Sequence, residues 1–80
     1  MTSDDIIDTI TEIGQRTLPY DFVVTTEPHE GQTLAVIQFD EDRFDFLPIT
    51  LFLKESSEAL PGAKLMGPTL LENKQIRILI

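Results

Sequence analysis

Two apolar runs separated by four polar residues constrain this chain more than anything else in it. Thr33-Leu34-Ala35-Val36-Ile37-Gln38-Phe39 comes first, then Asp40-Glu41-Asp42-Arg43, then Phe44-Asp45-Phe46-Leu47-Pro48-Ile49. Strand-forming stretches around a short polar loop predict a β-hairpin. With Phe39 opposite Phe44, Ile37 faces Phe46 and Ala35 faces Pro48. One face of that hairpin carries Ala35, Ile37, Phe39, Phe44 and Phe46. The other carries Gln38 and Asp45 near the loop, with Val36 and Leu47 farther in. Cross-strand aromatic and aliphatic pairs of this kind hold a sheet together.

Ahead of the hairpin, residues 3–13 read as an amphipathic helix. Ile6, Ile10 and Ile13 fall on one stripe, and Asp4, Asp8 and Glu12 on the opposite side. Thr2 or Ser3 can cap it, and Asp4 and Asp5 stand in the first turn, where the helix dipole favours negative charge. Gly14 and Pro19 mark its end, with Thr17 as the outer limit. Tyr20 to Thr26 is rich in strand formers, and Glu27-Pro28-His29-Glu30-Gly31 reads as a loop. Whether Phe22 and Val24 or Val23 share the face of Ile37 depends on register, which the sequence leaves open.

After Pro48 the pattern is ambiguous. Leu47, Ile49, Leu51 and Leu53 alternate as in a strand, whereas Ile49, Phe52, Leu53 and Leu60 suit a helix begun at Pro48. Strand to Leu53 is the preferred reading, with a helical turn over 56–60 stopped by Pro61-Gly62. Residues 63–71 carry little pattern beyond a Gly67-Pro68 turn. The chain closes on Lys74-Gln75-Ile76-Arg77-Ile78-Leu79-Ile80, whose alternation is that of a half-buried strand. A bare Ile-Leu-Ile end requires a paired and covered site.

The expected fold is therefore α+β, in a single domain over residues 1–80. An N-terminal amphipathic helix packs on an antiparallel β-meander of four to five strands, and Phe39, Phe44 and Phe46 lie against Ile6, Ile10 and Ile13. Leu34, Val36 and Leu47 are left on a second apolar face.

Composition narrows function more than any motif does. Fourteen acids against six bases leave a net charge of −8. Such a balance lacks the basic footprint of direct nucleic-acid binding and favours basic partners or simple solubility. With no cysteine, disulfides and thiolate metal sites are excluded. No basic region followed by an apolar run opens the chain, and no apolar stretch reaches the ~20 residues of a membrane helix. A soluble cytoplasmic protein, with no membrane partner, is the expectation.

Chemical motifs are sparse. Asp40-Glu41-Asp42-Arg43-Phe44-Asp45 fails as a calcium loop, because Asp45 and Leu51 stand where the EF-hand wants glycine and glutamate. His29 with Glu27 and Glu30 is too small a donor set for structural zinc. Ser3, Ser56 and Ser57 sit in no glycine-flanked elbow, and no glycine loop cradles phosphate. Neither catalytic residues, metal nor cofactor is expected. The order of elements is similar in outline to small acidic phage inhibitors such as some anti-CRISPR proteins. It also looks like the opening of type III secretion chaperone-like domains. Both are likenesses of layout.

The leading expectation is a small acidic interaction module, an adaptor or inhibitor, that binds a protein partner with a basic surface. Asp4, Asp8, Glu12, Asp40, Glu41 and Asp42 are the candidate partner-binding residues. The alternative is a self-associating structural subunit, a homodimer joined through edge strands or an apolar sheet face.

Overall fold

In the computed structural model, which describes residues 2–41, 43–66 and 74–80, two helices cover one face of a four-stranded antiparallel sheet. The elements are α1 (Ser3–Thr17), β1 (Phe22–His29), β2 (Gln32–Phe39), α2 (Phe46–Ala59), β3 (Lys64–Leu65) and β4 (Gln75–Leu79). Strands lie in the order β1-β2-β4-β3, every neighbouring pair antiparallel. This is the expected α+β class with the N-terminal helix on an antiparallel sheet, joined by a second helix.

α1 begins where its capping residues put it. The Thr2 N–H donates to the Asp5 carboxylate at 3.2 Å, and the Asp5 N–H donates to the Thr2 hydroxyl at 3.2 Å. This reciprocal pair satisfies two of the donors that a helix start leaves open. Ile6, Ile10 and Ile13 are buried, as their spacing predicts. Gly14 does not end the helix. It is buried inside it, and a Cβ placed there would meet the Phe22 ring at 2.4 Å. The glycine lets β1 approach the helix, and α1 runs on to Thr17.

β1 and β2 form the true hairpin. The strand expected to end at Thr26 continues through Pro28 to His29, and the turn shrinks to Glu30-Gly31, with φ of 50° and 80°. A two-residue turn with both φ positive matches the twist of the flanking strands. Pro28 is tolerated because β1 is an edge strand, so its missing N–H costs no ladder bond. The register sets Val24 opposite Ile37 and Phe22 opposite Phe39. Phe22 and Val24, not Val23, therefore share the core face, and Val23 is exposed.

The hairpin expected over 33–49 does not form. Asp40, Glu41 and Arg43 belong to a connector and not to a hairpin tip, and Asp42 lies outside the described residues. Phe46 begins α2, so no strand follows β2 directly. The slot beside β2 is taken instead by β4, with Ile76 opposite Ile37 and Ile78 opposite Ala35. Residues 49–53, preferred above as strand, are helical. Ile49, Phe52, Ser56 and Leu60 recur at helical spacing and are all buried, and that inward stripe outweighs the competing alternation. Pro48 is the third residue of α2, where no intrahelical bond is asked of its nitrogen. Asp45 is the N-cap, without a side-chain capping bond.

The core joins Ile6, Ile10 and Ile13 of α1, Ile49 and Phe52 of α2, and Val24, Ala35, Ile37, Phe39, Ile76 and Ile78 of the sheet. Phe39 is at its centre as expected, and Phe44 packs against its rim. Phe46 and Leu47, assigned above to the two faces of a strand, are in neither. Leu34 is wholly buried on the opposite face of β2, and Val36 beside it is half-buried. The C-terminal strand is integral: Ile76 and Ile78 are buried, and the Ile80 N–H donates to the Thr33 carbonyl at 2.8 Å. The Gly67-Pro68 turn lies outside the described residues.

Candidate interaction surface

The start of α2 departs furthest from ordinary burial. Phe46 is 84 % exposed and Leu47 77 % exposed, adjacent residues in the first turn. Leu51, one turn on from Leu47, is also exposed. Single exposed leucines are common on protein surfaces, but a contiguous apolar patch is not. The inward stripe of α2 is complete without these three. Any outward residue at their positions would keep the helix in place.

Aromatic side chains fix the residues just ahead of the patch. Phe44, just ahead of α2, packs edge-on against Tyr20 at 5.3 Å and against Phe39 at 5.3 Å between ring centroids. Tyr20 meets Phe39 at 6.1 Å with its ring perpendicular, and Phe22 lies 6.4 Å from Phe39. Edge-to-face rings suit the aromatic quadrupole and fix mutual orientation. The Tyr20 hydroxyl accepts a hydrogen bond from the Asp45 N–H at 2.6 Å. Phe44 and Tyr20 thus pin the residue on which α2 begins, and with it the direction in which Phe46 and Leu47 project.

Acids stand around this end of the molecule. Asp45 precedes Phe46 directly and is exposed. Asp40 is exposed and Glu41 half-buried in the connector, and the Asp40 N–H donates to the Asp21 carbonyl at 3.4 Å. That bond brings exposed Asp21 beside Asp40. Arg43 is an exposed base in the same connector. Sequence reasoning singled out Asp40 and Glu41 but missed Asp21 and Asp45, which only the pairing of Phe22 with Phe39 and the Tyr20 contact bring here. It also missed Phe46 and Leu47 as surface residues. The readable signal was an apolar run in 46–53 longer than one buried stripe can use.

The acids of α1 lie elsewhere. Asp4, Asp8 and Glu12 are exposed as expected. Gly14 against Phe22 puts the C-terminal end of α1 near the aromatic cluster. At 1.5 Å per residue, Asp4 is then about 15 Å back along the axis from Gly14. Glu12 is not a free acid, because Arg16 stands 3.6 Å from it. Arg16 also donates to Glu55 of α2 at 2.5 Å, clasping the two helices, and that bond raises the guanidinium pKa above its ordinary value. Thr9, Glu12, Ile13 and Arg16 face Glu55, Glu58 and Ala59 across a shallow groove of about 390 Å³.

His29 ends β1, half-buried and opposite Gln32. Among the described residues no three His, Asp or Glu side chains are placed to hold a metal ion. No helix among them is long and apolar enough to cross a membrane. Searches of protein-family models, curated proteins and solved structures find no match for this chain.

Proposed function

We propose that this protein is a small acidic interaction module of the cytoplasm, which docks on a basic protein partner through Phe46 and Leu47. The observation that carries the reading is the exposure of these two large apolar side chains on a turn held by Tyr20 and Phe44. Burying them in a partner would release roughly 1.5–3 kcal/mol each. The surrounding acids select what kind of partner that is. Asp21, Asp40, Glu41 and Asp45 favour an apolar pocket bordered by lysine or arginine, and they speed its approach. Asp4 and Asp8 extend the negative field along α1, without being contact residues for the same pocket. Net −8 argues against direct binding of DNA or RNA.

Self-association is the second reading, and two features weigh against it. Joining the patches of two copies brings both sets of acids together in a chain already at −8. Edge pairing meets Pro28 and the exposed Glu27 on β1, and only two residues on β3, features that blunt a sheet edge.

The test compares the wild type with Phe46→Ser/Leu47→Ser and with a lysine reversal of Asp40, Glu41 and Asp42, by light scattering and by capture from the native host. The expected outcome is a monomer whose captured partner is lost with the serine pair. The charge reversal should slow association, and rising salt should weaken binding. A wild-type dimer dissociated by the serine pair would move the function to self-association. Capture unchanged by both variants would remove this surface from the function altogether.

A further inference from the structure

The free side of the edge strand β1 carries a defined set of hydrogen-bonding groups. Thr33 and Ile80 exchange both of their backbone bonds, the Thr33 N–H donating to the Ile80 carbonyl at 3.2 Å and the Ile80 N–H to the Thr33 carbonyl at 2.8 Å. Successive residues of a strand address opposite neighbours, so the odd-numbered residues of β2 bond to β4 and the even-numbered ones to β1. Leu34, Val36 and Gln38 stand opposite Glu27, Thr25 and Val23. The N–H and C=O groups of Phe22, Val24 and Thr26 therefore point away from the sheet, and among the described strands β1 has no neighbour on that side. No backbone hydrogen bond among the described residues takes these donors. Phe22 and Thr26 are half-buried, and Val24 keeps 8 % exposure. Pro28, next in the outward series, brings a carbonyl but no N–H, so the stretch that can both donate and accept is Phe22 to Thr26.

We infer that this edge accepts an extended basic segment of a protein partner, which adds to the sheet antiparallel to β1, the slightly more stable pairing. Main-chain bonds supply the affinity in strand addition, and alternate side chains supply the selection. Charge chooses the occupant. Exposed acids close both ends of the stretch, Asp21 beside Asp40 at one and Glu27 with Glu30 at the other, and residues 21–28 hold no base. Asp21 to Glu27 spans ~20 Å of extended chain, the reach of about seven residues with a lysine or arginine at each end. A second copy fits badly. β1 paired on itself about Val24 sets Asp21 opposite Glu27, and like charges directly opposite destabilise a sheet. On the helix side of the sheet, an open cleft of about 420 Å³ has Thr11, Gln15, Leu18, Tyr20, Asp21 and Phe22 among its walls. Side chains that alternate with the basic ones fall on that side, beside Phe22, Val24 and Thr26, so aliphatic residues suit those positions. The edge is separate from Phe46 and Leu47, and the inference does not rest on their docking.

The experiment titrates the full chain with the peptide Lys-Val-Thr-Ile-Thr-Val-Lys, blocked at both ends, and follows the backbone amides by NMR at low salt. The amides of Phe22, Val24 and Thr26 should shift saturably and exchange more slowly with solvent. Those of Val23 and Thr25, which face β2, should keep their exchange rates. Replacing both lysines by glutamate turns two attractive pairs into repulsive ones and should weaken binding about tenfold. Methylating the nitrogen of the central isoleucine removes its bond to the Val24 carbonyl and should abolish binding. A titration without saturation, or slowed exchange at amides other than these three, overturns the site. Equal affinity for the methylated peptide overturns strand addition, and equal affinity for the glutamate peptide overturns the basic occupant. Protection of the same amides without peptide, rising with protein concentration, puts a second copy there instead. None of these readouts involves Phe46 or Leu47, so the edge and the proposed function fail separately.

Discussion

Gly14 is the residue at which sequence rules and packing disagree most sharply. By helix propensity, alanine in the middle of α1 should gain about 1 kcal/mol over glycine. Its methyl group would have to occupy space 2.4 Å from the Phe22 ring, and overpacking of that kind costs typically 1–3 kcal/mol. Packing wins, so Gly14→Ala should lower stability by about 1 kcal/mol, or about 5 °C in Tm for a domain of this size. In a Phe22→Leu background the same change should be harmless or stabilising, and thermal melts of the four combinations measure the coupling. At the other end of α1, hydrogen bonds from the Thr2 backbone and then its hydroxyl hold the Asp5 carboxyl below its ordinary pKa of 3.8. A carboxylate lowered in the folded state stabilises above its unfolded pKa, and that contribution fades as pH falls through the lower folded value. Thr2→Ala removes only the hydroxyl bond. An NMR titration should show Asp5 moving part of the way back toward 3.8. No movement would mean that the capping box does not persist in solution.

Among the elements, β4 should matter out of proportion to its length. Its five residues lie between β2 and β3, and Ile76 and Ile78 are both buried. Ile78→Ala should cost roughly 2–5 kcal/mol, against a total of about 5–15 kcal/mol for a native domain. Deleting residues 76–80 should unfold the chain. A truncated chain that melts at the wild-type temperature would show that β4 is dispensable. This strand was legible in the sequence because Ile76, Ile78 and Ile80 alternate with Gln75 and Arg77, and a strand period has no rival there. α1 was legible for the same reason at the helical period, with its cap narrowed to Thr2 or Ser3, of which Thr2 is the one used. α2 was not, because Leu47, Ile49, Leu51 and Leu53 satisfy a strand as well as Ile49, Phe52, Ser56 and Leu60 satisfy a helix. The choice between them is made by β4, a strand from the far end of the chain that occupies the place beside β2. Local pattern carries no information about such a competitor. The interaction surface was hidden by the same misassignment: with 46–49 read as strand, Phe46 belonged to the core. The acids at Asp40 and Glu41 could be read directly, since charge requires no fold to be recognised.

For the whole molecule, net charge sets opposite expectations for stability and for binding. At −8 the compact state gathers acids that repel one another. Arg16 pairs attractively with Glu12 and with Glu55, and pairs near the surface contribute little. Screening should therefore relieve more repulsion than it removes attraction. The Debye length falls from about 30 Å at 0.01 M salt to about 8 Å at 0.15 M, so Tm should rise over that range. Docking on a basic partner responds with the opposite sign, because the attraction between unlike surfaces is screened by the same ions. Both responses can be measured on one sample series, Tm by calorimetry and association rate by surface binding. A Tm that falls with salt would mean that Arg16 and other attractive pairs outweigh the repulsion. An association rate insensitive to salt would leave Phe46 and Leu47 to act without help from the acids around them.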